Sequence, residues 1–119
     1  GDTGVLAEGD LIGFVSLDYD VYTYKKAAAL VIESKGYIFQ GGGGNAYLII
    51  YYDCDTGNIM TVREYLIKCG ISEETVLGKC AASKYVPSIP GSDAVKTAYD
   101  VKFAVDETGE VILYTEMSD

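Results

Sequence analysis

The residues best suited to chemistry are three carboxylates in the middle of the chain. Asp53, Asp55 and Glu64 fall at positions 1, 3 and 12 of a calcium-binding loop pattern, where carboxylate oxygens coordinate the ion. Position 5 is Gly57, and position 6 is Asn58 instead of the glycine that such loops use for their sharp turn. A turn whose aspartates accept hydrogen bonds from backbone amides explains the same residues. The sequence leaves both interpretations open.

The same aspartates carry a short resemblance to an enzyme family. A strand followed by Asp53-x-Asp55 resembles the opening motif of haloacid-dehalogenase-type phosphatases, in which the first aspartate is the nucleophile. The resemblance covers five residues, and Gly57 stands where that family has threonine or valine. The family also has downstream lysine and acidic motifs on a fold larger than 119 residues. A carboxylate-dependent hydrolase is therefore an alternative function and not the leading one.

The composition removes the common catalytic sites. The chain has no histidine, so it has no Ser-His-Asp or Cys-His nucleophile and no histidine-containing zinc site. Cys54, Cys69 and Cys80 lie 15 and 11 residues apart and form no Cys-x-x-Cys motif. The sequence therefore favours a protein that is not an enzyme and has no cofactor. If the cysteines are oxidised, we expect a Cys69–Cys80 disulfide; the alternative is three buried free thiols.

Tyrosine is the unusual residue of this composition, with eleven copies against three phenylalanines and no tryptophan. Tyr19, Tyr22 and Tyr24 cluster after the first predicted strand. Because tyrosine supplies a large contact area at low entropic cost, we predict these three as ligand-binding residues, with Tyr22 and Tyr24 the most exposed. Most of the other tyrosines are expected to pack in strands and in the core.

Charge excludes one class of partner. The net charge is −9, and the acidic residues concentrate at the two ends of the chain. Residues 1–23 contain five acids and no base, and residues 100–119 contain six acids and one base. Such ends repel nucleic acid and anionic lipid, so we predict no nucleic-acid partner. No apolar run reaches the roughly 18 residues that span a bilayer, so we also predict no membrane-spanning segment.

The first half of the chain contains two predicted strands and one ambiguous segment. Leu11–Tyr22 alternates like a half-buried strand, and Ala46–Asp53 is apolar on both faces, which is typical of a central strand. Tyr24–Gly36 is interpreted as a helix on the propensity of its alanines, with a strand and hairpin as the alternative. Four consecutive glycines, Gly41–Gly44, are expected to form a mobile loop.

The second half contains two predicted helices and a hairpin. A capping box at Thr61 begins a helix that ends at Gly70, and a second helix runs from Ser72 to Ser83. Residues 95–105 alternate as one long strand, and Asp106–Gly109 forms the turn to the next strand. Residues 84–93 are a predicted surface connector.

These elements predict one α+β domain spanning residues 1–119, with residues 1–10 as a flexible arm. We expect a mostly antiparallel sheet of about five strands, covered by two or three short helices. The chain begins with glycine and not methionine, which we interpret as the result of removing a targeting segment or an upstream domain.

The leading functional hypothesis is a non-enzymatic binding or interaction module of an extracellular or cell-envelope protein, with a cytoplasmic location as the alternative. Its ligand, a protein or a small molecule, and its oligomeric state stay open. The second hypothesis is a carboxylate-dependent hydrolase or a calcium-assisted site around Asp53 and Asp55. The third is a purely structural domain of a larger envelope protein.

Overall fold

The structure is a computed structural model, and it describes residues 13–38, 42–83, 97–115 and 117–118. In chain order its elements are β1 (Gly13–Tyr24), β2 (Ala27–Ile38), β3 (Gly42–Asp53), β4 (Ile59–Met60), α1 (Val62–Cys69), α2 (Glu73–Ser83), a 3₁₀ turn (Ala98–Asp100), β5 (Lys102–Val105), β6 (Val111–Tyr114) and β7 (Met117–Ser118). The predicted α+β class with mostly antiparallel strands and two helices is confirmed. The predicted arm and connector lie outside the described residues.

Three twelve-residue strands form an antiparallel meander in the order β1, β2, β3. The two short strands β4 and β7 pair with opposite ends of β3 and complete a five-stranded sheet. Strands β5 and β6 form a separate two-stranded hairpin. We call the end of the meander next to the β1–β2 turn the turn end, and the opposite end the far end.

The predicted helix at Tyr24–Gly36 is wrong, because most of this segment is strand β2. Lys25 and Lys26 make a two-residue turn with φ angles of 48° and 61°. Positive φ at both positions is the type I′ turn, whose twist matches that of the two strands. Strand β2 then pairs along its whole length with β1 on one side and β3 on the other. Pairing on two sides outweighs the weak helix preference of its alanines.

The glycine tract also belongs to the sheet, so the predicted mobile loop is wrong for Gly42–Gly44. These residues pair with Gly36–Ile38 of β2, and Gly44 also pairs with Ser118 of β7. Hydrogen bonds to neighbouring strands hold a backbone that has no side chains to anchor it. Gly41 lies outside the described residues.

Both predicted helix starts are confirmed. The Thr61 hydroxyl accepts a hydrogen bond from the Glu64 amide at 3.2 Å, and the Glu64 carboxylate accepts one from the Thr61 amide at 2.9 Å. Helix α1 ends at Gly70, which adopts the left-handed conformation with φ 68°. At the start of α2 the Ser72 hydroxyl accepts from the Thr75 amide at 3.2 Å. The capping residues therefore determine both boundaries.

The predicted β5–β6 hairpin is confirmed, but its first strand is shorter than expected. The turn is closed by hydrogen bonds from the Asp106 amide to the Glu110 carbonyl at 3.0 Å and from the Gly109 amide to the Asp106 carbonyl at 2.9 Å. Residues 98–100 form a 3₁₀ turn and not a strand, because the Thr97 hydroxyl accepts from the Tyr99 amide. Tyr99 lies in this turn and is 48% exposed.

The core lies where the helices and the β5–β6 hairpin cover one face of the meander at its turn end. Its centre is aromatic: the Tyr51 and Tyr65 rings stack with their centroids 4.0 Å apart, and both contact Phe103. The Tyr51 hydroxyl donates to the Phe103 carbonyl, and the Tyr65 hydroxyl accepts from the Val105 amide at 2.9 Å. Burial raises the pKa of both tyrosines. These bonds let two phenols replace the large apolar side chains of a usual core.

All three cysteines are free thiols: Cys54 is exposed, whereas Cys69 and Cys80 are buried. Burial raises the pKa of both buried thiols, as it does for any acid that ionises to an anion. The Cys69–Cys80 disulfide is therefore not present, and two of the three thiols act as small apolar core residues. Among the described residues, no helix has the length and apolarity needed to cross a bilayer.

The molecule is elongated because the meander extends well beyond this core. Its radius of gyration is 17.6 Å, whereas a compact domain of this length has about 13.5 Å. Its extents are 55 × 35 × 20 Å, and the long axis is consistent with strands of about 40 Å. The far end of the sheet therefore lies beyond most of the core.

Replacing Lys25-Lys26 by Asn-Gly is expected to raise the free energy of unfolding by about 1 kcal/mol. Non-glycine residues with positive φ are strained, and the Asn-Gly pair is the preferred type I′ sequence. Urea unfolding measures the change. The matched control is Lys26→Ala, which removes the side chain but keeps the strain, and it should give no gain. An unchanged or lower stability of the Asn-Gly variant would contradict the turn.

Tyr65→Phe is expected to lower the free energy of unfolding by about 1–3 kcal/mol, because the buried Val105 amide loses its acceptor. Tyr114→Phe is the matched control. The buried Tyr114 hydroxyl makes no hydrogen bond of good geometry and lies close to the Tyr22 hydroxyl, so its removal should cost less than the loss of the Tyr65 hydroxyl. Equal losses in the two variants would contradict the assigned role of the Tyr65 hydroxyl.

Candidate functional site

The most distinctive surface is the face of the meander that the helices do not cover. Side chains alternate between the two faces of a strand, and directly paired residues share a face. The strand register therefore places twelve residues together, and we call them the open face: Val15, Leu17, Tyr19, Val21, Leu30, Ile32, Ser34, Gly36, Gly44, Ala46, Leu48 and Ile50. None of them is charged. Tyr52 and Ile59, which pair with each other, extend this face at the turn end.

The open face is apolar and accessible. Val15 is 74% exposed, Tyr19 66% and Leu48 58%, whereas Ala29 and Tyr51 on the opposite face are at most 5% exposed. No residue of the open face belongs to the core cluster or to the partly buried hydrophobic residues packed against it. Contiguous apolar surface of this kind is uncommon on monomeric soluble proteins and marks interaction sites.

The back of the far end is polar and internally paired. The Glu33 carboxylate accepts hydrogen bonds from the Asn45 amide group and the Tyr47 hydroxyl, both at 2.9 Å. Lys35 Nζ lies 3.7 Å from Glu33 and 3.8 Å from Asp18. The hydrogen bonds from Asn45 and Tyr47 hold the pKa of Glu33 below its usual value. The far end therefore exposes a polar face on one side and an apolar face on the other.

A second candidate site lies at the β3–β4 turn, where a lysine binds two aspartates. Lys68 Nζ lies 2.7 Å from the Asp55 carboxylate and 3.1 Å from the Asp53 carboxylate. Lys26 Nζ lies 3.7 Å from Asp55 on its other side. The amide of Asp55 and then Lys68 lower the pKa of Asp53, and Lys68 lowers the pKa of Asp55. The two carboxylates in turn raise the pKa of Lys68.

This turn brings together two of the three predicted calcium ligands. Asp53 Oδ1 accepts from the Asp55 amide at 2.9 Å, as the alternative interpretation of the turn predicts. The Glu64 carboxylate instead caps helix α1 through the Thr61 amide. The ammonium of Lys68 lies where a cation between Asp53 and Asp55 would lie. In the ranges that the structure describes, no three His, Cys, Asp or Glu side chains converge on a metal position.

Beside Lys68 a cleft of about 370 Å³ opens between the turn and helix α1. Its lining is mixed, with Asp53, Thr56, Asn58, Ile59, Met60, Glu64, Ile67 and Lys68. Its charged groups are already engaged: Asp53 and Lys68 pair with each other, and Glu64 caps α1. Among the described residues the cleft therefore offers no unpaired charged group to orient a ligand.

The structure separates the three predicted ligand-binding tyrosines. Tyr19 lies on the open face, whereas Tyr22 and Tyr24 point to the covered face and pack against the core. The Tyr24 ring lies against the β5–β6 turn, where a Cβ added to Gly109 would lie 3.1 Å from it. Tyr22 and Tyr24 are half-buried, which differs from the exposure predicted for them.

Sequence reasoning missed Lys68 and most of the open face. Lys68 follows Asp55 by 13 residues on a different element, and no short motif links the two. The open face did leave a signal, because Val15–Val21 alternates and the β3 segment is apolar on both faces. Because Tyr24–Gly36 was predicted to form a helix that would cover the sheet, this signal did not indicate an exposed apolar face.

Lys68→Met is expected to raise the pKa of both Asp53 and Asp55 in an NMR titration, because the carboxylates lose their shared ammonium. Both carboxyls have a lowered pKa in the fold. Their contribution to stability is therefore present above the ordinary pKa of 3.8 and is lost as the pH falls through the lowered values. As the pH falls through this range, the free energy of unfolding of Lys68→Met should accordingly decrease less than that of the unaltered protein.

The control for this titration is Lys79→Met, which removes an ion pair with Glu110 and leaves the β3–β4 turn intact. The titration curves of Asp53 and Asp55 should be unchanged in that variant. Unchanged curves in Lys68→Met as well would contradict the ion pairs at the turn.

Comparisons with known proteins add no family or relative. No protein-family model, no curated protein and no solved structure matches this chain.

Proposed function

We propose that this protein is a non-enzymatic binding module and that the open face is the surface on which a partner protein docks. The observation that carries this proposal is a set of twelve adjacent, uncharged and mostly apolar residues, of which the four on β1 and Leu48 are more than half exposed to water. A partner that covers such a face removes apolar area from water, which is favourable, and it does not bury any charged group of the face.

The shape of the face suits a protein partner better than a small molecule. The twelve residues span seven positions along each of three strands and outline about 330 Å², from about 3.3 Å per residue and about 4.8 Å between strands. The largest apolar patch of an ordinary monomer is about 300–600 Å² and is often functional. The face is also flat and open, whereas small-molecule sites are concave.

Two features keep the face available for docking. The backbone is held by continuous pairing of β2 with both neighbours, so the face is preorganised and little chain entropy is lost on binding. Asp18 and Asp20 on the edge strand β1 point to the opposite face. Charged residues on an edge strand discourage pairing of further strands, which directs association to the face and not to the edge.

The other hypotheses from the sequence stay predictions. Of the three predicted ligand-binding tyrosines, Tyr19 belongs to the proposed docking surface, and Tyr22 and Tyr24 do not. The hydrolase or calcium site is less well supported, because Asp53 and Asp55 already pair with Lys68, and Asp55 also pairs with Lys26. The extracellular or cell-envelope location and the role as a domain of a larger protein rest on the sequence alone.

The proposal is tested with anilinonaphthalene sulfonate, a dye that fluoresces on exposed apolar protein surface. At nanomolar protein concentration the native chain should bind the dye, and Leu48→Lys should reduce the fluorescence several-fold because it places a charge in the middle of the face. Ile67→Lys is the matched control, since Ile67 is 71% exposed on helix α1. This variant should retain most of the signal.

Both substitutions replace exposed side chains, so circular dichroism and the melting temperature should match those of the unaltered protein. A native chain that does not bind the dye, or equal binding by the native and Leu48→Lys proteins, would contradict an available docking face.

A further inference from the structure

We draw no further inference here: the strongest candidate, the apolar open face of the meander formed by β1, β2 and β3, belongs to the docking surface already proposed, and nothing in the structure shows what covers it.

Discussion

The rest of the structure depends on the pairing of strand β2 with β1 on one side and β3 on the other. Continuous pairing satisfies the backbone of the central strand, and it also forces side chains to alternate between two faces. The helices and the β5–β6 hairpin cover one face at the turn end. The opposite face, with Leu30 and Ile32 at its centre, therefore has no cover among the described residues. The proposed function follows from this asymmetry.

The small core explains why the coverage stops at the turn end. Tyr51, Tyr65 and Phe103 are its aromatic side chains, and the two hydroxyl groups hydrogen-bond to backbone groups of β5. The Tyr51 bond ties the β5–β6 hairpin to β3, and the Tyr65 bond ties it to helix α1. Toward the far end, the same face carries the polar group around Glu33, which accepts hydrogen bonds from Asn45 and Tyr47. The sheet is therefore stabilised at both ends by different means, and its open face contributes to neither.

The β3–β4 turn shows how tertiary structure changes the meaning of a motif. Asp53 and Asp55 have the spacing of metal ligands or of a nucleophile, and the sequence alone leaves both interpretations open. Helix α1 brings Lys68 to the two carboxylates, and the backbone amide of Asp55 takes another lone pair of Asp53. An ammonium on a helix thus supplies the positive charge that the aspartates need. Electrostatic stabilisation of the turn becomes the simpler account of these residues.

Local signals in the sequence were sufficient to predict an element wherever a short-range interaction determines its structure. The capping box at Thr61, the end of α1 at Gly70 and the turn at Asp106–Gly109 were predictable, because each depends on hydrogen bonds within five residues. The α+β class also followed from the strand and helix patterns. The sequence could not determine the path of residues 24–36, since Lys25-Lys26 carries none of the glycine or asparagine that marks a type I′ turn. Only pairing with distant strands selects a strand there. That same pairing decides which face is left open, because a side chain's exposure depends on what packs over it and not on its own chemistry.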